Sequence, residues 1–93
     1  MGIESVYQKS NEYGKVRMSF SEETIQSVWE KGEIVAKYDA NSFRKDQYGA
    51  WIRRLDYGGG NSRLGWGITH ITPESEGGGD ELSNLRPLQW RNK

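Results

Sequence analysis

The 93-residue chain contains no cysteine, a single histidine and only two prolines. Without cysteine, both a disulfide framework and a cysteine-ligated zinc site are excluded. Lysine and arginine together number 13, as do aspartate and glutamate, so the formal net charge is zero. This balance argues mildly against an avid nucleic-acid binder, whose domain is usually basic, but it leaves room for a local basic patch.

Long apolar segments are also missing from the sequence. No run approaches the ~20 apolar residues that span a membrane, and no signal peptide is visible. We therefore expect no membrane partner, and the cytoplasm is the simplest location. The length suits one small domain with a marginal core. Four tryptophans and five tyrosines supply most of the burial that we expect in that core.

The clearest local pattern predicts a helix that begins at Ser21. Ser21 can cap it, and Glu22 and Glu23 suit its positive first turn. Gly32 suits the C-terminal stop. The apolar side chains at helical spacing are Ile25, Val28 and Trp29. They predict one buried face.

Extended segments are predicted at 34–36, 50–54, 64–71 and 85–88. The stretch 56–62, with three glycines, is typical of a flexible connection or a hairpin loop. Pro87 predicts an edge position or a strand end. Residues 1–18 are polar and are interpreted as an N-terminal arm, or as a short edge strand around Val16 and Met18.

The only histidine, His70, lies in the segment Gly-Trp-Gly-Ile-Thr-His-Ile-Thr-Pro, residues 65–73. Three glycines follow at 77–79, then Ser-Asn-Leu at 83–85 and Trp-Arg-Asn at 90–92. Together with residues 28–32 and 44–52, this order resembles the HNH (His-Me finger, ββα-metal) endonuclease family. It is most similar to small bacterial and phage members, over about residues 19–93.

The resemblance implies an α+β domain over residues 19–93. An N-terminal helix and a small antiparallel sheet would end in an incomplete ββα finger at 64–93. It further implies that His70 is the general base of DNA phosphodiester hydrolysis and that Asn84 braces the loop. A neutral imidazole with a pKa of ~6.5 suits the base role. An active member of the family would use Mg²⁺ or Mn²⁺.

Several positions depart from the family pattern. Thr69 stands where the family has a metal-binding aspartate, and Gly67 stands where this subgroup usually has glutamate. The second metal ligand falls at Lys93, and Asn92 could replace it only if the helix register shifts. The final helix is also shorter than in the family, which suggests a truncated or decayed form. With this sequence we expect no bound metal, because a hydroxyl and an ammonium are poor ligands for a hard cation.

Two function hypotheses remain open at this stage. The chain is either an HNH-type nuclease or a catalytically inactive HNH-derived module that binds DNA or a protein, with a protein that keeps only the fold as a third possibility. Lys93 could supply positive charge in a metal-independent nuclease, or be merely solvated. The acidic loop 74–81 could hold a cation, or be solvated. The cationic side chains that could contact a nucleic acid are Arg53, Arg54, Arg63, Arg86, Arg91 and Lys93. The four tryptophans are expected in the core rather than as stacking platforms.

Overall fold

The structure is a computed structural model, and it describes residues 20–92. The polar arm predicted for residues 1–18, and every role predicted for Lys93, lie outside the described residues. Within residues 20–92, one helix and two small antiparallel sheets form an α+β fold. No helix in this part of the chain is long and apolar enough to cross a membrane.

The helix, α1, spans Glu22–Trp29. The predicted cap is confirmed, because the Ser21 side chain accepts a hydrogen bond from the Thr24 amide. The predicted apolar face is buried as well. The helix ends at Trp29, and the Gly32 amide closes the following turn by donating to the Trp29 carbonyl. A Cβ on Gly32 would lie 3.1 Å from the Arg44 Cβ, so this glycine also permits close packing.

Four short strands form two separate ribbons. In the first, β1 (Phe43–Lys45) pairs with β2 (Trp51–Arg53). In the second, β3 (Trp66–His70) pairs with β4 (Leu85–Gln89), with Trp66 opposite Gln89 and His70 opposite Leu85. The antiparallel pairing predicted between the histidine strand and the Asn-Leu strand is therefore confirmed.

Three sequence interpretations are corrected by the structure. The strand at 51–53 pairs with 43–45, not with 66–70, so residues 56–62 are not a simple hairpin loop. The sequence pattern does not predict strand β1, because the one buried side chain of this strand is an arginine. Residues 34–36 form no strand, and only Glu33 makes a bridge, to Lys45.

The core lies between α1 and the two ribbons. Its fully buried side chains are those of Val28, Trp29, Ile52, Trp66 and Leu85. The rings of Trp29 and Trp66 pack with centroids 5.3 Å apart. These two tryptophans are core residues, as predicted, whereas Trp51 and Trp90 are half-buried.

Two charged side chains complete the interior, on either side of Lys45. Arg44 donates to the carbonyls of Glu30, Gly32 and Ala40 at 2.9–3.1 Å. The Asp46 carboxylate accepts from four nitrogens, three of them backbone amides. Buried charges are tolerated where they are hydrogen-bonded in this way. Arg44 therefore links the first ribbon to the segment that follows the helix, and Asp46 links the same ribbon to β4.

Candidate functional site

The candidate site is built at the loop end of the second ribbon, where β3 ends at His70. The His70 Nε2 atom lies 2.7 Å from the Asp80 Oδ1 atom, and the histidine side chain is 15 % exposed. A carboxylate only accepts hydrogen bonds, so in the neutral imidazole this contact places the ring proton on Nε2. The lone pair is then on Nδ1, which is the nitrogen available to act as a base.

Asn84 holds the loop that carries Asp80 against the ribbon. Its Oδ1 atom accepts from the Thr72 amide at 2.7 Å, and its Nδ2 atom donates to the carbonyls of Thr72 and Gly79 at 3.1 and 2.9 Å. Its carbonyl accepts from the Ile71 amide at 2.8 Å. The side chain thus joins the beginning and the end of loop 72–79, which is the bracing contact expected from the sequence.

A direct test of this brace is the replacement of Asn84 by alanine. Three hydrogen bonds at a largely buried side chain are lost, so we expect the free energy of unfolding to fall by about 1–3 kcal/mol. Denaturant unfolding would measure the fall. In the matched variant Asn84→Asp, one carboxylate oxygen still accepts from Thr72, but the other faces the carbonyls of Thr72 and Gly79 and is repelled by them, so a loss at least as large is expected. Unchanged stability in both variants would contradict the brace.

The metal position that the resemblance implies does not fit a cation. Thr69 stands directly opposite Arg86 in the β3–β4 register, and such pairs place their Cβ atoms about 4.5–5.5 Å apart on one face. A hydroxyl beside a guanidinium is a poor ligand set for a hard cation. Gly67, two positions before Thr69, lies beneath the Trp90 ring, where a Cβ would come within 2.9 Å of it. The glutamate usual in the subgroup would therefore clash with Trp90.

A different donor set is present on the other face of the ribbon. One ligand atom each from His70, Glu74 and Asp80 lies within 4.8 Å of the other two, and the Glu74 Oε2 atom is 3.9 Å from His70 Nε2. A divalent ion could take these three atoms as ligands after small side-chain rotations. It would bind the same Nε2 that contacts Asp80, so an ion here would compete with the His70–Asp80 contact.

The arginines predicted to contact a nucleic acid differ in their surroundings. Arg53, Arg63 and Arg91 are exposed. Arg54 is held against α1, because its Nε atom donates to Gln26 at 3.0 Å and its terminal nitrogen lies 3.2 Å from Glu22. Arg86 is half-buried, and Asn92 donates to Asp46 at 2.9 Å rather than turning towards Thr69. The Asn92 side chain, considered as a shifted metal ligand, is thus engaged by Asp46 in this structure.

Two aspartates were not singled out by the sequence: Asp80 in the site and Asp46 in the interior. Asp80 is one of four acidic residues in a glycine-rich loop, and nothing in the local pattern distinguishes it from its neighbours. Asp46 had a usable signal, since an aspartate followed by a tyrosine and glycine at 48–49 is typical of an Asx turn. The Tyr48 amide indeed donates to its side chain at 2.9 Å.

Comparison of the chain with protein-family models, with curated proteins and with solved structures gives no match. The local geometry and chemistry of the site therefore carry the functional argument, together with the resemblance of its motif.

Proposed function

We propose that the chain is an HNH-like module that acts on nucleic acids, with the His70–Asp80 pair as the general base of phosphodiester hydrolysis. The observation that carries the proposal is the 2.7 Å contact between His70 Nε2 and Asp80 Oδ1 at the end of β3. A carboxylate on one ring nitrogen fixes the tautomer and stabilises the imidazolium that forms when the other nitrogen takes a proton. Water held at Nδ1 would lose its proton to the ring and attack phosphorus, while the bond from phosphorus to the leaving sugar oxygen breaks and that oxygen takes a proton from solvent.

The surroundings of the pair support the same chemistry. His70 and Asp80 sit at two ends of a loop that Asn84 joins, so the pair is held by the loop's own hydrogen bonds. Asp80 is exposed and His70 keeps part of its surface open. A substrate phosphate can therefore approach the ring from solvent. Catalytic groups need positioning of this kind, because a base must lie within hydrogen-bond reach of the water that it activates.

The second candidate is a module that binds nucleic acid without cutting it. The observation that favours it is Thr69 opposite Arg86, where the resemblance would require a carboxylate. General-base catalysis alone contributes about 10²–10⁴-fold, and hydrolysis also needs positive charge on the scissile phosphate. If no cation reaches that phosphate, the module would bind its substrate and leave it intact.

The experiment that separates the candidates is a nicking assay on supercoiled plasmid with highly purified protein, with EDTA or with magnesium. We expect slow nicking that does not require magnesium, since Thr69 and Arg86 offer no site for that ion. His70→Ala should lower the rate at least about 100-fold, and Asp80→Asn should lower it less. Glu76→Gln is the matched control, because Glu76 is exposed in the same loop and lies outside the cluster around His70.

The outcomes are distinct. Nicking by the wild-type protein that survives His70→Ala would rule out the proposed base. Binding of a labelled oligonucleotide without any nicking would favour the second candidate. Nicking that appears only with magnesium and is lost with His70→Ala would support His70 as the base and would show that the reaction uses a bound metal ion.

A further inference from the structure

A cleft of about 290 Å³ opens between the end of α1, the first ribbon and β4. Three of the side chains that line it are cationic: Lys31, Lys45 and Arg86. Two are acidic: Glu33 and Asp46. These charged residues come from three short segments of the chain, around positions 31–33, 45–46 and 86.

Arg86 is the side chain without a partner in this cleft. Its Nε atom is buried, and no hydrogen-bond acceptor for it lies among the described residues 20–92. A buried donor that stays unsatisfied costs about 1–3 kcal/mol, and more when the group is charged. Its cross-strand neighbour Thr69 brings no negative charge to it. A guanidinium in this state points to an acceptor that residues 20–92 do not supply.

The two lysines are partly engaged by neutral groups only. Lys31 donates through Nζ to the Leu82 carbonyl and, at 2.6 Å, to the Leu85 carbonyl. Lys45 lies over the Trp51 ring, with Nζ 5.1 Å from the centroid. Neither contact neutralises a charge, and an ammonium has three donors. Both lysines therefore keep positive charge at the cleft.

The acidic members do not cancel these cations. The Asp46 carboxylate already accepts four hydrogen bonds, two at each oxygen. Its charge is thus directed at backbone amides and Asn92. Glu33 is exposed, and solvent screens an exposed carboxylate strongly. The three cations of the lining outnumber its two carboxylates, so a net positive charge remains at the cleft.

We propose that this cleft binds a phosphate group, with Arg86 as the central ligand and Lys31 and Lys45 beside it. Arginine is the side chain best matched to phosphate oxygens, because its planar fork donates several hydrogen bonds at once. The phosphate is either free or part of a nucleic-acid backbone. The second source rests on the proposed function, whereas the anion site itself does not.

The position of Arg86 adds a consequence for the proposed function. Arg86 and Thr69 share one face of the β3–β4 ribbon, while His70 lies opposite Leu85 on the other face. A phosphate in the cleft is therefore not the one attacked at His70. It is a second backbone phosphate that fixes the register of the strand on the protein, as phosphate contacts do in other nucleic-acid complexes.

In the first test, inorganic phosphate is added to the protein. NMR monitors its binding through the Arg86 side-chain N–H and the backbone amides of residues 31, 45 and 86, and thermal unfolding measures its effect on stability. We expect site-specific shifts in the wild-type protein and a rise in melting temperature. Arg86→Gln should weaken phosphate affinity about tenfold or more. It removes no hydrogen bond to the chain, so the fold should persist. Arg86→Lys, which keeps the charge without the fork, should fall between them. Lys37→Gln is the matched control, because Lys37 is exposed and does not line the cleft.

A second arm uses a fluorescent single-stranded oligonucleotide and a salt titration. With a backbone phosphate in the cleft, Arg86→Gln should weaken binding and reduce the slope of log K against log salt by about 1. Arg86-dependent binding of inorganic phosphate without oligonucleotide binding would support the anion site with free phosphate as its ligand, and would count against the proposed function. Oligonucleotide binding that is unchanged by Arg86→Gln would rule out a backbone phosphate in the cleft and leave the proposed function standing. Absence of Arg86-dependent binding in both arms would overturn the inference.

Discussion

Replacement of Asp46 by alanine is expected to lower the free energy of unfolding by about 3 kcal/mol or more, because four donors lose their acceptor at once. The Tyr48 and Ala50 amides point at one carboxylate oxygen, and the Gln89 amide and Asn92 side chain point at the other. Asp46 itself is 3 % exposed. Water can therefore replace the lost acceptor only if the turn opens.

The same carboxylate should make stability depend on pH. Burial by itself raises the pKa of Asp46, but the hydrogen bonds from Gln89, Ala50, Asn92 and Tyr48 outweigh it and hold the pKa below its usual value of 3.8. The folded protein therefore binds this proton less readily than the unfolded chain. The resulting stabilisation is complete above pH ~4 and is lost as the pH falls through the lowered pKa of the folded state.

Asp46→Asn isolates this contribution. The amide oxygen can still accept from Tyr48 and Ala50, but the amide nitrogen cannot accept from Gln89. The variant should be less stable than wild type at neutral pH, and the difference should shrink below pH ~4. Urea unfolding at several pH values measures it. Asp39→Ala is the control: Asp39 also accepts hydrogen bonds within a turn, from Asn41 and Ser42, but it is exposed. A loss as large as that of Asp46→Ala in this control would contradict the argument.

Gly78→Ala is expected to have the second large effect, since a single methyl group has no space there. A Cβ on Gly78 would lie 1.8 Å from the Thr72 carbonyl oxygen and 2.8 Å from Asn84 Nδ2. Both are atoms of the brace around loop 72–79. The backbone would have to move, and the Asn84–Thr72 hydrogen bond would lengthen or break. We expect a loss of about 1–3 kcal/mol in the free energy of unfolding.

The same substitution should also disturb the hydrogen bonding of His70. Asp80 follows the displaced segment directly, so its 2.7 Å contact with His70 Nε2 should be lost. NMR spectra of the imidazole nitrogens, compared with those of Asp80→Asn, would show whether the ring has lost its partner. Gly60→Ala is the matched control, because a Cβ at Gly60 meets nothing within 4 Å. Its stability should stay within about 0.5 kcal/mol of wild type, and equal losses at both glycines would contradict the steric explanation.

The elements that sequence reasoning predicted well are those whose signals are local. The Ser21 cap and the apolar spacing of Ile25, Val28 and Trp29 lie within nine residues, and together they define α1. The pairing of β3 with β4 follows from a glycine-rich loop between two apolar segments. Asn84 also acts locally, on carbonyls and amides at most twelve positions away.

The features that sequence reasoning missed depend on contacts between distant parts of the chain. Strand β1 is identified only once Arg44 is known to be buried under Trp29, because an arginine in the middle of three residues predicts no strand. The Asp46–Gln89 hydrogen bond joins residues 43 positions apart. Arg86 stood in the sequence as one of several arginines. Only its place opposite Thr69 and its unpartnered Nε distinguish it.

Strand β4 has a further consequence for how the molecule meets other copies of itself. Along an antiparallel pair, residues whose N–H points at the partner strand alternate with residues whose N–H points away from it. Pro87 has no N–H, so it occupies a position that does not bond to β3. The backbone nitrogens of Leu85, Pro87 and Gln89 therefore face the outer edge of β4. The Leu85 amide donates to the Leu82 carbonyl and the Gln89 amide to Asp46. Every backbone nitrogen on that edge thus already donates a hydrogen bond or lacks a hydrogen. An incoming strand would find no donor there, so the edge is protected against the strand addition that leads small β-rich proteins to aggregate.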